Sequence, residues 1–133
     1  KTGVKKDGTI TARYVNIVSD SGAYVDYGEA TLTKAAIHCM GPYNIPNMKV
    51  DGFLVYTNSA VGGAMRGFGL PQVGFAYEVH TDSIAKQIGM DPIEFRRKNM
   101  FGLTALMPTN QIVKSAPLAE TFEHAIKLSG GLK

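Results

Sequence analysis

Between residues 62 and 72 the chain reads Gly-Gly-Ala-Met-Arg-Gly-Phe-Gly-Leu-Pro-Gln. Four glycines in so short a stretch open backbone dihedrals that other residues avoid. Pro71 suits the first turn of a helix, where its missing N–H costs nothing. The segment therefore cannot be the interior of a helix or strand. It must be a loop that hands over to a helix. A helix start offers unpaired N–H groups and a partial positive charge to an anion. Arg66 adds a planar donor fork and Phe68 a flat apolar face. Such a loop suits a flat ligand with an anionic or oxo-rich end. Taken alone, the glycines also read as no more than a tight turn between a strand and a helix.

The flanking sequence supplies elements on both sides. Lys5-Lys6-Asp7-Gly8-Thr9 is a hairpin turn, leading to a strand over 10–18 rich in β-branched and aromatic residues. Residues 19–28 read as a loop, because Ser-Asp-Ser-Gly favours turns. A helix is expected over 29–40, with Leu32, Ala35, Ala36, Cys39 and Met40 on one stripe and Gly41-Pro42 as its stop. A second long strand covers 48–57, with Gly52 either weakening its middle or marking a bulge. After the loop over 58–70, a helix over 71–88 would turn Val73, Tyr77, Ile84 and Ile88 inward and end at Gly89. Asp91-Pro92-Ile93-Glu94 is a capped start for a short helix ending near Asn99. Residues 101–116 are irregular, with Pro108, Asn110 and Pro117 as breakers. A last helix over 117–128 carries Leu118, Phe122, Ala125 and Ile126 inward and stops at Gly130-Gly131. This order predicts an α+β fold over 1–133, a single domain in which a mixed sheet of two or three strands packs with about four helices.

Composition narrows the function classes. A chain of 133 residues with 44% hydrophobic and 19% charged residues is that of an ordinary globular domain with one modest core. No apolar run approaches the roughly 20 residues that span a bilayer, and no signal-peptide pattern opens the chain, so no membrane partner is expected. The net charge of +3 is mild, and the basic clusters Lys5-Lys6 and Arg96-Arg97-Lys98 are short and without a recognition motif, which argues against nucleic acid. The single cysteine, Cys39, excludes an internal disulfide and a cysteine zinc site, and fits a reducing, cytoplasmic setting.

The three histidines, His38, His80 and His124, fall on separate expected helices without a second ligand one turn away, so no metal site is expected from them. Ser59 and Ser115 lack the context of an activated nucleophile. The glutamates are dispersed over helices, and by sequence only Glu78, about two turns into the helix that follows, comes near the glycine loop. The chain thus shows a binding loop without an evident catalytic base.

Arg66-Gly67-Phe68-Gly69-x-Pro71-Gln72 is more specific than its glycines. Together with Tyr43-Asn44-Ile45-Pro46-Asn47 upstream and Lys98-Asn99-Met100 downstream, it resembles the molybdenum-binding large part of the xanthine dehydrogenase and aldehyde oxidase family over nearly the whole chain. The resemblance implies a molybdenum–pyranopterin cofactor, with or without an appended nucleotide. It implies hydroxylation of an N-heterocycle such as a purine, or of an aldehyde, with water as the oxygen source. Electrons would leave through iron–sulfur clusters to FAD or another acceptor, held on other domains or subunits.

Carried over residue by residue, Arg66, Gly67, Gly69 and Gln72 match cofactor-contacting positions, and Phe68 matches the phenylalanine that packs on the substrate ring. Lys34 stands where xanthine-oxidising members have an arginine on a substrate oxygen. Lysine keeps the charge and loses the bidentate fork, which points away from xanthine and towards a nicotinate-like carboxylate or a different purine. Read from residues alone, Lys34 is equally a solvent-facing helix residue. The family's catalytic glutamate and glycine-rich cofactor segments have no counterpart here. The expectation is therefore a fragment of a larger subunit, beginning inside a hairpin without an initiator methionine, that holds no cofactor and is inert alone. The competing reading is a binding or assembly module that kept the fold without the chemistry.

Overall fold

A computed structural model describes residues 1–107 and 109–130. Strand β1 (Thr2–Val4) turns back through residues 5–9 into the long strand β2 (Ile10–Gly22), and the two pair antiparallel. Helix α1 (Gly28–His38) then crosses to strand β3 (Met48–Tyr56), which runs parallel to β2 and completes a mixed sheet of order β1-β2-β3. Three helices follow: α2 (Leu70–Gln87), α3 (Pro92–Asn99) and α4 (Leu118–Leu128). The α+β architecture, with three strands and four helices among the described residues, is the one the sequence predicts.

Two departures carry physical content. Strand β2 runs on to Gly22 rather than ending near Val18, because Ser19 and Asp20 pair with Leu54 and Val55 in the parallel ladder. Long-range pairing overrides the local turn preference of Ser-Asp-Ser-Gly. Gly52 makes no bulge. It stays in register opposite Ile17, and a Cβ there would stand 3.3 Å from Leu32 Cδ1, so the glycine serves the close seating of α1 on the sheet.

The core gathers Ile10, Met40, Tyr43, Ile45, Ile84, Ala85 and Phe95. Of the α1 stripe, Ala35, Cys39 and Met40 are buried and Leu32 and Ala36 half-buried. On α2, Ile84 is buried, Val73 and Tyr77 are half-buried, and Ile88 at the helix end is exposed. On α4, Leu118, Phe122 and Ile126 are half-buried, whereas Ala125 is exposed, contrary to its expected inward position. Pro108 and Gly131, expected as breakers, lie outside the described residues.

Local caps behave as the sequence predicts. Asp91 Oδ1 accepts from the amides of Ile93 and Glu94 at 2.9 and 3.0 Å, and Gly89 ends α2 at φ +69°. Two polar hubs tie the layers together. Asn99, 4% exposed, accepts from the Ile10 amide and donates to the carbonyls of Gly8 and Phe95, all at 2.9 Å. The Tyr43 hydroxyl donates to the Glu78 carboxylate at 2.9 Å, and Arg96 grips both Glu78 (2.7 Å) and Asp82 (2.6 Å). Burial and the adjacent Glu78 charge push the Tyr43 hydroxyl well above its ordinary pKa, so it stays a donor.

Candidate functional site: the glycine loop and its cavity

The loop leaves β3 tightly fastened to the end of β2. Thr57 N donates to Gly22 O (3.0 Å), Ala23 N to Ser59 O (3.1 Å) and Gly62 N to Ser21 O (3.0 Å). Asp20 accepts from the Thr57 hydroxyl at 2.6 Å and from the Gly22 amide at 2.7 Å, and these bonds hold its carboxyl below the usual range. The root of the loop is thus a continuation of the sheet, and its tip is placed accordingly.

At the tip the chain turns twice in succession, with Phe68 N donating to Met65 O (2.9 Å) and Leu70 N to Gly67 O (3.1 Å). Gly67, Phe68 and Gly69 all have positive φ, at +99°, +49° and +84°. Phe68 bears a side chain in this left-handed region, at a cost of about 1–2 kcal/mol. Gly69 admits no side chain at all, since a Cβ would come within 2.8 Å of Thr31 O and 2.9 Å of Ala35 Cβ on α1. This close approach brings the loop onto α1, and the strained backbone displays the Phe68 ring beside that helix. Tyr27, immediately before α1, meets the ring edge-to-face at 5.9 Å between centroids and 82° between planes.

Phe68 and Lys34, 34 residues apart in sequence, line one open cavity of about 430 Å³. Asp26, Tyr27, Glu29, Ala30, Thr33 and Ile37 complete its wall, giving an aromatic side, an apolar side and charges of both signs. Lys34 makes no ion pair among the described residues. Gln72 faces elsewhere, into a separate cavity of about 330 Å³ between β2 and α2 with Arg13, Tyr77 and His80, and Arg66 lines neither. His80 is half-buried and hydrogen-bonded to Thr2 Oγ1 at 3.0 Å.

The residues singled out for cofactor contact share a property. Among the described residues, the backbone amides of Arg66, Gly67, Gly69 and Gln72 have no hydrogen-bond acceptor, and neither does the Arg66 guanidinium. Backbone donors and a charged fork without acceptors, gathered at a helix N-terminus, fit an anionic, oxygen-rich group.

The acid reading needs correction. Glu78, half-buried, is engaged by Tyr43 and Arg96, while Glu29, read from sequence only as one of the glutamates dispersed over helices, and Asp26, which the sequence did not single out, stand at the cavity of Phe68. Tyr27 was equally hidden. The one available signal was its position seven residues before Lys34, two helical turns along the same face.

Comparison with known proteins shows the family. A family model described as the molybdopterin cofactor-binding domain matches residues 1–100. The chain is 46% identical over 126 residues to the nicotinate dehydrogenase large molybdopterin subunit of Eubacterium barkeri, covering 94% of this chain and 30% of that protein. It is 46% identical over 100 residues to a probable xanthine dehydrogenase subunit of Bacillus subtilis (strain 168), covering 75% and 13%. The solved structure of aldehyde oxidoreductase from Desulfovibrio gigas superposes with a TM-score of 0.85 at 33% identity, over 96% of this chain and 14% of that one. The chain belongs to the molybdopterin cofactor-binding domain family. It spans less than a third of each of these three relatives.

Proposed function

We propose that this chain is part of the molybdenum domain of a larger hydroxylase, and that the hydroxylase acts on an N-heterocycle bearing a carboxylate, of the nicotinate kind. The observation that carries this reading is the convergence of Phe68 and Lys34 on one cavity. An aromatic face and a point positive charge at one opening suit a flat ring with an anionic substituent. The 46% identity to a nicotinate dehydrogenase subunit is compatible with this choice but is matched by the 46% to the probable xanthine dehydrogenase subunit, so the choice rests on the cavity.

In this reading Arg66 and the amides of Gly67, Gly69 and Gln72 hold the molybdenum–pyranopterin. When bound, that group supplies a redox centre that accepts two electrons from the substrate carbon, with water as the oxygen source. The residues of this chain bind and orient. Phe68 packs on the ring, Lys34 holds the carboxylate, and the wall from Tyr27 to Ile37 keeps part of the cavity apolar. The general base, the iron–sulfur clusters and the FAD belong to other segments or subunits, so the isolated chain is inert. Among the described residues no helix is long and apolar enough to cross a membrane. The lone buried Cys39 supports a cytoplasmic setting.

Steady-state kinetics of the complete enzyme test this function. Nicotinate should be oxidised in preference to hypoxanthine and benzaldehyde. Lys34→Met should raise KM for nicotinate by about 10- to 100-fold, the worth of a charge-assisted hydrogen bond, and leave an uncharged heterocycle unaffected. Equal losses for both substrates would remove Lys34 from carboxylate binding.

A further inference from the structure

We infer that Tyr27 is a positioning residue that fixes the ring of Phe68 and so sets how tightly a flat aromatic substrate is held. This rests on the reading that Phe68 contacts substrate, and it adds a residue that the loop motif does not contain.

Three observations lead to it. The Phe68 backbone is held at φ +49° between two glycines that also have positive φ, so the Cα–Cβ direction is set by the loop. Phe68 is 37% exposed, and its one aromatic neighbour among the described residues is Tyr27, edge-to-face at 5.9 Å. Tyr27 lines the same cavity as Lys34 and Phe68, makes no side-chain hydrogen bond at the start of α1, and is itself 57% exposed. A large aromatic left open at a helix start with no capping duty is not explained by the folding of α1.

An open cavity wall built on one ring is useful only if that ring rests in one rotamer. The edge-to-face contact supplies the preference. Without it, the Phe68 side chain populates other staggered wells, and only a fraction of molecules presents the face that a substrate ring packs on. Apparent affinity falls in proportion to that fraction. Once substrate is seated, the ring is trapped and turnover proceeds as before. The signature is therefore in KM and not in kcat.

The test uses the complete enzyme with nicotinate as substrate. Tyr27→Ala is expected to raise KM about three- to tenfold, the range of an aromatic pair, with kcat and molybdenum content unchanged. Tyr27→Phe keeps the ring and should restore the wild-type KM. In a Phe68→Ala background Tyr27→Ala should add nothing further, because its effect acts through Phe68. Additive effects in the double variant, or a Tyr27→Phe variant as impaired as Tyr27→Ala, would overturn the assignment, the latter by moving the role to the hydroxyl. If Phe68→Ala raises KM and Tyr27→Ala does not, Tyr27 alone loses its role. If Phe68→Ala also leaves KM untouched for every heterocycle, the substrate reading of the cavity falls with it.

Discussion

Arg66→Ala in the complete enzyme is expected to lose most of its molybdenum while keeping its fold. Arg66 is exposed, and its guanidinium makes no hydrogen bond among the described residues, so truncating it removes nothing that holds the protein together. Surface changes of this kind alter stability by about 0.5 kcal/mol or less. The same side chain is a charged donor fork in a loop whose Gly67 and Gly69 amides also lack acceptors among the described residues. A charge-assisted hydrogen bond contributes about 1.5–3 kcal/mol, and a bidentate pair about twice that. Cofactor affinity should fall by roughly 100-fold or more, since 1.4 kcal/mol is a factor of ten. Elemental analysis of the purified variant, with thermal unfolding alongside, checks both halves. Full molybdenum occupancy would remove Arg66 from the cofactor site.

The largest effect on stability is expected at Asn99. Its carboxamide makes three hydrogen bonds of 2.9 Å, to Ile10 N, Gly8 O and Phe95 O, at 4% exposure. Together they join the turn before β2 to the end of α3. Asn99→Ala leaves the Ile10 amide and the Gly8 carbonyl buried without this partner, and each such loss costs about 1–3 kcal/mol. A total near 3 kcal/mol should lower the midpoint of unfolding by roughly 10 °C for a domain of this size. A calorimetric shift under 2 °C would show that water replaces the amide freely. This hub also gives a physical reason for the Lys98-Asn99-Met100 string. Asn99 O accepts from Asn44 N at 2.7 Å and Met100 bridges Tyr43, so two motifs more than 50 residues apart in sequence lie side by side.

How much of this was legible in sequence depends on the range of the forces involved. The handover from loop to helix at Pro71, the Asp91 cap and the stop at Gly89 are set by dihedrals and hydrogen bonds within a few residues, and all three stand where the sequence predicts. The extension of β2 to Gly22 was not legible, because it is made by pairing with Leu54 and Val55 more than 30 residues on. Glu78 was misplaced for the same reason. Proximity along α2 suggested the loop, whereas Tyr43 and Arg96 engage its carboxylate. The residues proposed to hold the cofactor were singled out by their motif alone. Tyr27, Asp26 and Glu29 reach the cavity only because Gly69 lets the loop settle against α1.

The division of labour within that loop is the centre of the account. In the proposed reading Arg66 and the free amides face a cofactor, and Phe68 faces a substrate. Phe68→Ala in the complete enzyme separates the two most directly, with molybdenum content and kcat/KM measured on the same preparation. Loss of the ring face should misplace the substrate while leaving every cofactor donor intact, and a misplacement of about 1 Å can cost about 100-fold. The predicted result is wild-type molybdenum content with kcat/KM for nicotinate reduced by roughly 100-fold. Lost molybdenum, or full content with unchanged kcat/KM, would contradict it.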